Sequence, residues 1–186
     1  PTLPVSWKTN THWQEMHTKL TGTYNFENVL SAIAIGKYFN IDKEKIKSGI
    51  ENYSPENKRS EIIKGGSNTI IADYYNANPT SMEAAIENFA SMNAQEKIAI
   101  LGDMLELGEE TLKEHTQILS LLHKYKIDKS ILIGPYFHSL ERKEFLSFRS
   151  TEEAKVWLEK NKINNSLILL KGSRGIQLEK LLPLLV

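Results

Sequence analysis

The sequence predicts an α/β fold: a mostly parallel β-sheet with helices on both faces, preceded by a short helical segment. Three observations carry this. From residue 60 onward, short aliphatic runs alternate with stretches whose apolar residues recur at helical spacing, the pattern of strands joined by covering helices. The stretch Thr69–Met82, T-I-I-A-D-Y-Y-N-A-N-P-T-S-M, passes from strand through polar loop to helix start within a few residues. Hydrophobic residues make up 40% of the chain and charged ones 25%, enough for a core under a solvated surface.

Size and charge narrow the possibilities. At 186 residues there is room for one full domain and part of another. Lys and Arg number 23, as do Asp and Glu, and no block of one sign occurs. That balance argues against nucleic acid or an anionic membrane as the main partner. There is no cysteine, which excludes disulfides, thiolate catalysis and a Cys-ligated metal. No apolar run approaches the roughly 20 residues of a membrane span, and no signal-peptide pattern is present. A soluble, cytoplasmic protein is the expectation.

Residues 1 to about 20 show no clear period; Pro1, Pro4, Trp7 and Trp13 stand among polar residues. A strand remnant or a packed arm are both open there. Phe26, Val29, Leu30 and Ile33 then follow the i, i+3, i+4, i+7 rule, predicting a helix over Asn25–Phe39. A second helix follows Asp42 as N-cap, with Ile46, Ile50 and Tyr53 on one face. Two short helices cannot enclose a core, so this segment requires a partner. Ser54-Pro-Glu-Asn-Lys-Arg59 is polar and proline-containing, and it reads as a domain linker.

Beyond it, Ser60–Ile63 and Thr69–Asp73 flank Gly65-Gly66-Ser67-Asn68 as a hairpin. A helix over Pro79–Ala90 leads to a strand over Lys97–Leu101, and a helix over Thr111–Lys126 to a strand over Ser130–Gly134. A weaker strand, Glu144–Phe148, precedes a helix opened by the capping box Ser150…Glu153. The strand Ser166–Lys171 runs into Gly172-Ser173-Arg174-Gly175 and a last helix carrying Leu178, Leu181, Leu182 and Leu185.

In open α/β sheets ligands bind where strand ends meet helix starts, so the polar loops there hold the candidate residues. Asp73 ends a strand, where a carboxylate can accept both hydroxyls of a ribose. Tyr74, Tyr75 and Asn76 crowd the same loop, while Asn78-Pro79 equally suits an N-cap followed by proline at N1. Asn25 and Asn28 share a face at a helix start. Either can read the amide-like edge of a base, and plain capping by Asn25 is the competing reading. Lys171, Ser173 and Arg174 bring two cations and a hydroxyl to a strand-to-helix junction, suited to a carboxylate or phosphate or else merely a solvated glycine turn. Asp103 and Glu106 suit a cation or amine, although acids on loops are usually solvated. His115 shares a face with Ile118, Leu119 and Leu122 and reads as packed. His12, His17, His123 and His138 have no metal-ligand spacing. The P-loop order G-x-x-x-x-G-K-[ST] occurs nowhere in the chain.

Five stretches in order carry a resemblance: L-T-G-T-Y-N-F-E-N-V-L-S-A at 20–32, Arg59, D-Y-Y-N-A-N-P-T-S-M at 73–82, L-G-D-M-L-E-L-G-E-E at 101–110 and L-K-G-S-R-G at 170–175. Over about residues 20–182 the chain resembles the C-terminal part of a Mur ligase, in the branch that joins D-alanyl-D-alanine to UDP-N-acetylmuramoyl-tripeptide in peptidoglycan precursor synthesis. The resemblance implies that residues 1–58 are the end of a central ATPase domain with its linker. Residues 59–186 would be a Rossmann-like C-terminal domain. It implies ATP and Mg2+ as cofactors, an acyl phosphate formed on the tripeptide, and attack by the dipeptide amine. Asn25, Asn28, Arg59 and Asp73 would then bind ATP. Tyr75, Asn76, Asn78, Lys171, Ser173 and Arg174 would face the reacting centre or the dipeptide. No residue of the chain is assigned a catalytic or metal-binding role. The P-loop, the magnesium-binding acids and the UDP-binding domain would lie in missing N-terminal and central parts of the same enzyme, so the polypeptide alone is expected to be inactive. A stand-alone Rossmann-like module that binds a nucleotide or a partner without catalysis is the alternative.

Overall fold

The computed structural model describes residues 2–8, 13–54, 60–140 and 143–186; Arg59 and His12 lie outside these. The chain divides into two compact units, Pro1–Glu56 and Asn57–Val186.

In the first unit, strands β1 (Thr2–Lys8) and β2 (Trp13–Thr21) pair antiparallel, with Val5 opposite Met16. Helices α1 (Phe26–Tyr38) and α2 (Lys43–Asn52) follow. Val5, Met16, Val29, Ile33 and Ile46 form the core, so the partner that the two helices require is the hairpin. The hairpin is hard to read from sequence for a physical reason. Val5 is the one fully buried residue of β1, and the register shifts between Thr2 and Pro4, so the two-residue period never builds up. Asp42 caps α2 as expected, accepting from the Glu44 amide at 2.9 Å.

The second unit is built on a six-stranded sheet in the order β3-β4-β8-β5-β6-β7. These are β3 (Glu61–Gly65), β4 (Asn68–Asp73), β5 (Lys97–Gly102), β6 (Lys129–Ile133), β7 (Leu146–Phe148) and β8 (Leu167–Lys171). The β3–β4 hairpin is antiparallel; every other pairing is parallel. Side chains of successive strand residues enter opposite cores. Ile71, Leu101 and Leu169 meet Met82, Ile86 and Phe89 of α3 (Pro79–Ser91) and Ile118, Leu119 and Leu122 of α4 (Thr111–Lys124). Ile70, Ile100, Ile168 and Leu170 meet Ala154 and Leu158 of α6 (Thr151–Lys160), together with Leu178, Leu181 and Leu185. Each large side chain so buried contributes on the order of 1.5–3 kcal/mol.

Three local expectations change. The helix begun at Thr111 ends at Lys124, with Tyr125 as C-cap and Lys126 at φ 49°. The last helix is two pieces, a 3-10 turn over Leu178–Leu181 and α7 (Leu182–Leu185), with Pro183 in the first turn of α7. A short helix after β6, α5 (Pro135–Ser139), breaks no apolar rhythm and escapes the periodicity. The Ser150 hydroxyl accepts from the Glu153 amide at 3.2 Å, but Glu153 returns to the Arg149 amide rather than that of Ser150.

Strand order positions the site. β8 is last in sequence yet lies between β4 and β5. The helices after β4 and β5 cover one face, while the chain after β8 turns to the other. Such divergence of neighbouring connections opens a crevice at the carboxyl ends of these strands.

Candidate functional site

Parallel pairing of β4 with β8 places Asp73 opposite Lys171 in register. Both side chains project from the α3–α4 side of the sheet, following Ile71 and Leu169 by two residues. The Lys171 ammonium donates to Asp73 Oδ2 at 2.6 Å and to the Asn76 carbonyl at 3.3 Å. Lys171 is 1% exposed, so the reading of a solvated glycine turn does not hold for it. The other carboxylate oxygen, Asp73 Oδ1, accepts the Ser60 amide at 3.2 Å. Ser60 itself is held at φ 54°. The Asp73 side chain retains 14% exposure, and each oxygen keeps a further acceptor position.

Ser173 joins three loops. Its hydroxyl accepts the Leu105 amide at 3.0 Å and donates to the Ala77 carbonyl at 3.5 Å, and its amide donates to the Asp103 carbonyl. Close backbone approach makes this possible. A Cβ on Gly172 would stand 2.8 Å from Gly102 Cα. Above this buried floor, Tyr75, Asn76 and Arg174 are exposed. The Arg174 guanidinium lies 5.6 Å from the Tyr75 ring centroid, within cation–π range. Tyr74 points the other way, into the α6 side of the core. Burial there, then Glu179 and Glu61, raises its pKa above the ordinary phenol value.

Asn78 is the N-cap of α3. Its Oδ1 accepts the Ser81 amide at 2.8 Å, and the Ser81 hydroxyl accepts the Asn78 amide at 3.1 Å, with Pro79 at N1. The cap thus engages its carbonyl oxygen. Asn25 precedes α1 but makes no side-chain cap bond. Its Oδ1 instead accepts from Asn28 Nδ2 at 3.0 Å, so capping does not account for it. Asn25 is buried and Asn28 exposed.

Asp103 is not a solvated loop acid. It is fully buried, and its carboxylate accepts the amides of Tyr136 at 2.8 Å and Phe137 at 2.9 Å, opening α5. Gly134, at φ 131°, leaves the room this requires, because any Cβ there would collide with that carboxylate. His115 is buried beside it. Nδ1 faces the Thr111 carbonyl at 2.6 Å and Nε2 takes the Met104 amide at 3.1 Å, the pattern of a neutral ring protonated on Nδ1. It packs edge-on to Phe137, as its apolar face predicted. Glu106 is exposed. Among the described residues no three acidic or histidine side chains gather as a metal site would need.

Sequence reasoning missed the Ser60 amide and the Tyr136–Phe137 amides. Gly134-Pro135, a turn glycine followed by a proline suited to N1, is the signal that locates the latter pair. A surface groove of about 900 Å³ lies elsewhere, among Glu96, Lys129, Leu146 and Trp157 at the amino ends of the strands. No helix among the described residues is long and apolar enough to cross a membrane.

Comparison with known proteins gives a consistent picture. The family model "Mur ligase, glutamate ligase domain" matches residues 58–174. The chain is 33% identical over 174 residues to the UDP-N-acetylmuramoyl-tripeptide–D-alanyl-D-alanine ligase of Treponema pallidum, covering 89% of this chain and 38% of that protein. It is 32% identical over 177 residues to the Bacillus subtilis ligase of the same name, covering 90% and 39%. A crystal structure of MurF from Acinetobacter baumannii superposes with a TM-score of 0.83 at 26% identity, covering 97% of this chain and 41% of that one. MurF from Thermotoga maritima in complex with ADP shares the fold, at a TM-score of 0.81 and 17% identity, over 97% and 42%. The chain thus spans about two fifths of the length of the relatives it matches.

Proposed function

Because the chain belongs to the Mur ligase family, we propose that it is the C-terminal part of an ATP-dependent amide ligase. That enzyme joins D-alanyl-D-alanine to UDP-N-acetylmuramoyl-tripeptide in the cytoplasm, through an acyl phosphate. Residues 1–58 then close a central ATPase domain, and residues 59–186 form the C-terminal domain.

One observation supports the reading most. The D-Y-Y-N-A-N-P loop and the L-K-G-S-R-G loop, far apart in sequence, meet across the β4–β8 ladder at the crevice where this fold binds ligands. ATP supplies the phosphoryl group that activates the tripeptide carboxylate. The partly exposed edge of Asp73 fits a ribose diol, since its oxygens are oriented by Lys171 and Ser60 yet keep acceptor capacity. Asn25 and Asn28 are assigned to the base and Arg59 to the phosphates. The Mg2+ of the reaction is assigned, on the family resemblance, to acids of the enzyme's remaining domains.

Tyr75, Asn76 and Arg174 present a mixed aromatic, amide and cationic rim to the second substrate, while Lys171 and Ser173 hold that rim in place. A rigid rim orients the amine, and orientation together with fixed charge supplies most of the catalysis in such a two-substrate ligation. Steady-state kinetics of the full-length ligase carrying Asp73→Ala or Asn76→Ala test the assignment. We expect a raised KM for ATP in the first and for the dipeptide in the second. Unchanged kinetics in both would remove the assignment.

A further inference from the structure

Resting on the ligase reading above, we infer that Arg174 is the residue that recognises the free carboxylate of the incoming dipeptide, and that Lys171 has no part in that contact. The L-K-G-S-R-G run holds two cations, and the structure separates their work. Lys171 is buried and spends its charge on Asp73 and the Asn76 carbonyl. Arg174 is exposed and forms no ion pair with any described residue; its recorded neighbour is the Tyr75 ring at 5.6 Å. A guanidinium backed by an aromatic face keeps its planar donor edge available for a bidentate carboxylate.

The surroundings choose the ligand class. Leu105 stands directly beside Gly175, the next residue, where a Cβ would meet Leu105 Cδ1 at 2.7 Å. The Tyr75 ring beside the guanidinium and the Leu105 side chain beside the neighbouring glycine are apolar surfaces that suit methyl-bearing residues. The adjoining loop, tied to Ser173 through the Leu105 amide, continues into the exposed Glu106 and Glu109, with Glu110 paired to Lys113, and this acidity disfavours a polyphosphate. Among the described residues of the loops at the carboxyl ends of β4, β5 and β8, Arg174 is the one exposed Lys or Arg. A single cation opposite acids matches a short zwitterionic peptide better than a nucleotide tail. A side chain reaching the dipeptide carboxylate from here also measures the dipeptide's length, because the attacking amine sits at its other end.

The test uses the full-length ligase with D-alanyl-D-alanine and its C-terminal amide, which lacks the carboxylate. For Arg174→Gln we expect KM for the dipeptide to rise at least about tenfold, the usual worth of a charge-assisted hydrogen bond, with KM for ATP unchanged. Arg174→Lys should recover part of the loss. On the amide, wild type and Arg174→Gln should be equal. The inference is overturned if Arg174→Gln leaves the dipeptide KM alone, if the loss falls on ATP instead, or if the variant is equally impaired on the amide. A wild-type enzyme that ligates no dipeptide would instead overturn the reading on which the inference rests. Arg174 is exposed, so its variants should melt with the wild type.

Discussion

Replacing Lys171 by Met keeps the aliphatic stem and removes the ammonium. The Lys171 side chain is 2% exposed and its partner carboxylate 14%, at 2.6 Å. Breaking a buried pair on one side costs about 3–5 kcal/mol, since the remaining charge is left unpaired. Residual solvent access at Asp73 puts the expectation at the lower end, about 3 kcal/mol. At roughly 3 °C per kcal/mol for a domain of this size, the melting temperature should fall by about 10 °C. The Asn76 carbonyl loses a donor as well, so the 74–78 loop should loosen. Adding Asp73→Asn removes the orphaned charge and should return more than half of the lost stability. The assay is thermal and urea unfolding of wild type, both single variants and the double variant. A Lys171→Met protein as stable as wild type, or a double variant no better than Lys171→Met, would refute the reasoning that this pair is the buried floor of the site.

Further predictions follow from the same geometry. Gly134→Ala must distort the Asp103 carboxylate cap or the left-handed backbone, and denaturant unfolding should show a loss of about 3 kcal/mol or more. Asn78→Ala removes the α3 cap and should cost about 1 kcal/mol by the same measure, without abolishing ligation by the full-length protein. The pKa of Tyr74 is raised in the folded state, so its stabilising share is fully present below the unfolded phenol value near pH 10 and is lost as pH rises through the folded value. An ultraviolet phenolate titration should show one late-titrating tyrosine that disappears in Tyr74→Phe, and a titration without that late component contradicts the burial argument.

What the sequence reveals depends on whether a feature is local. The alternation of strands and helices in the second unit is written in local periodicity, and it recovers the parallel sheet. The Asn78-Pro79 cap is equally local and is present as read. Lys171 shows the opposite case. Nothing near it in sequence says that its charge is spent on Asp73, a residue 98 positions away brought alongside by β4–β8 pairing. Asp103 looks like a loop acid until β6 delivers Gly134 and the α5 amides to it. The N-terminal hairpin is hidden because, among its described residues, Val5 and Met16 are the only fully buried apolar side chains, with Leu3, Trp7 and Leu20 only partly buried against them. In each case the missing information was a long-range pairing, while the residue types already signalled that something polar converged on the strand ends.

Ligation by the full-length protein is the decisive measurement. The full-length protein carrying this segment should convert UDP-N-acetylmuramoyl-tripeptide, ATP and D-alanyl-D-alanine to the pentapeptide nucleotide, ADP and phosphate, while the purified 186-residue chain forms none. Product formed equally well when D-glutamate replaces the dipeptide, or ATP-dependent ligation by the isolated chain, would contradict it.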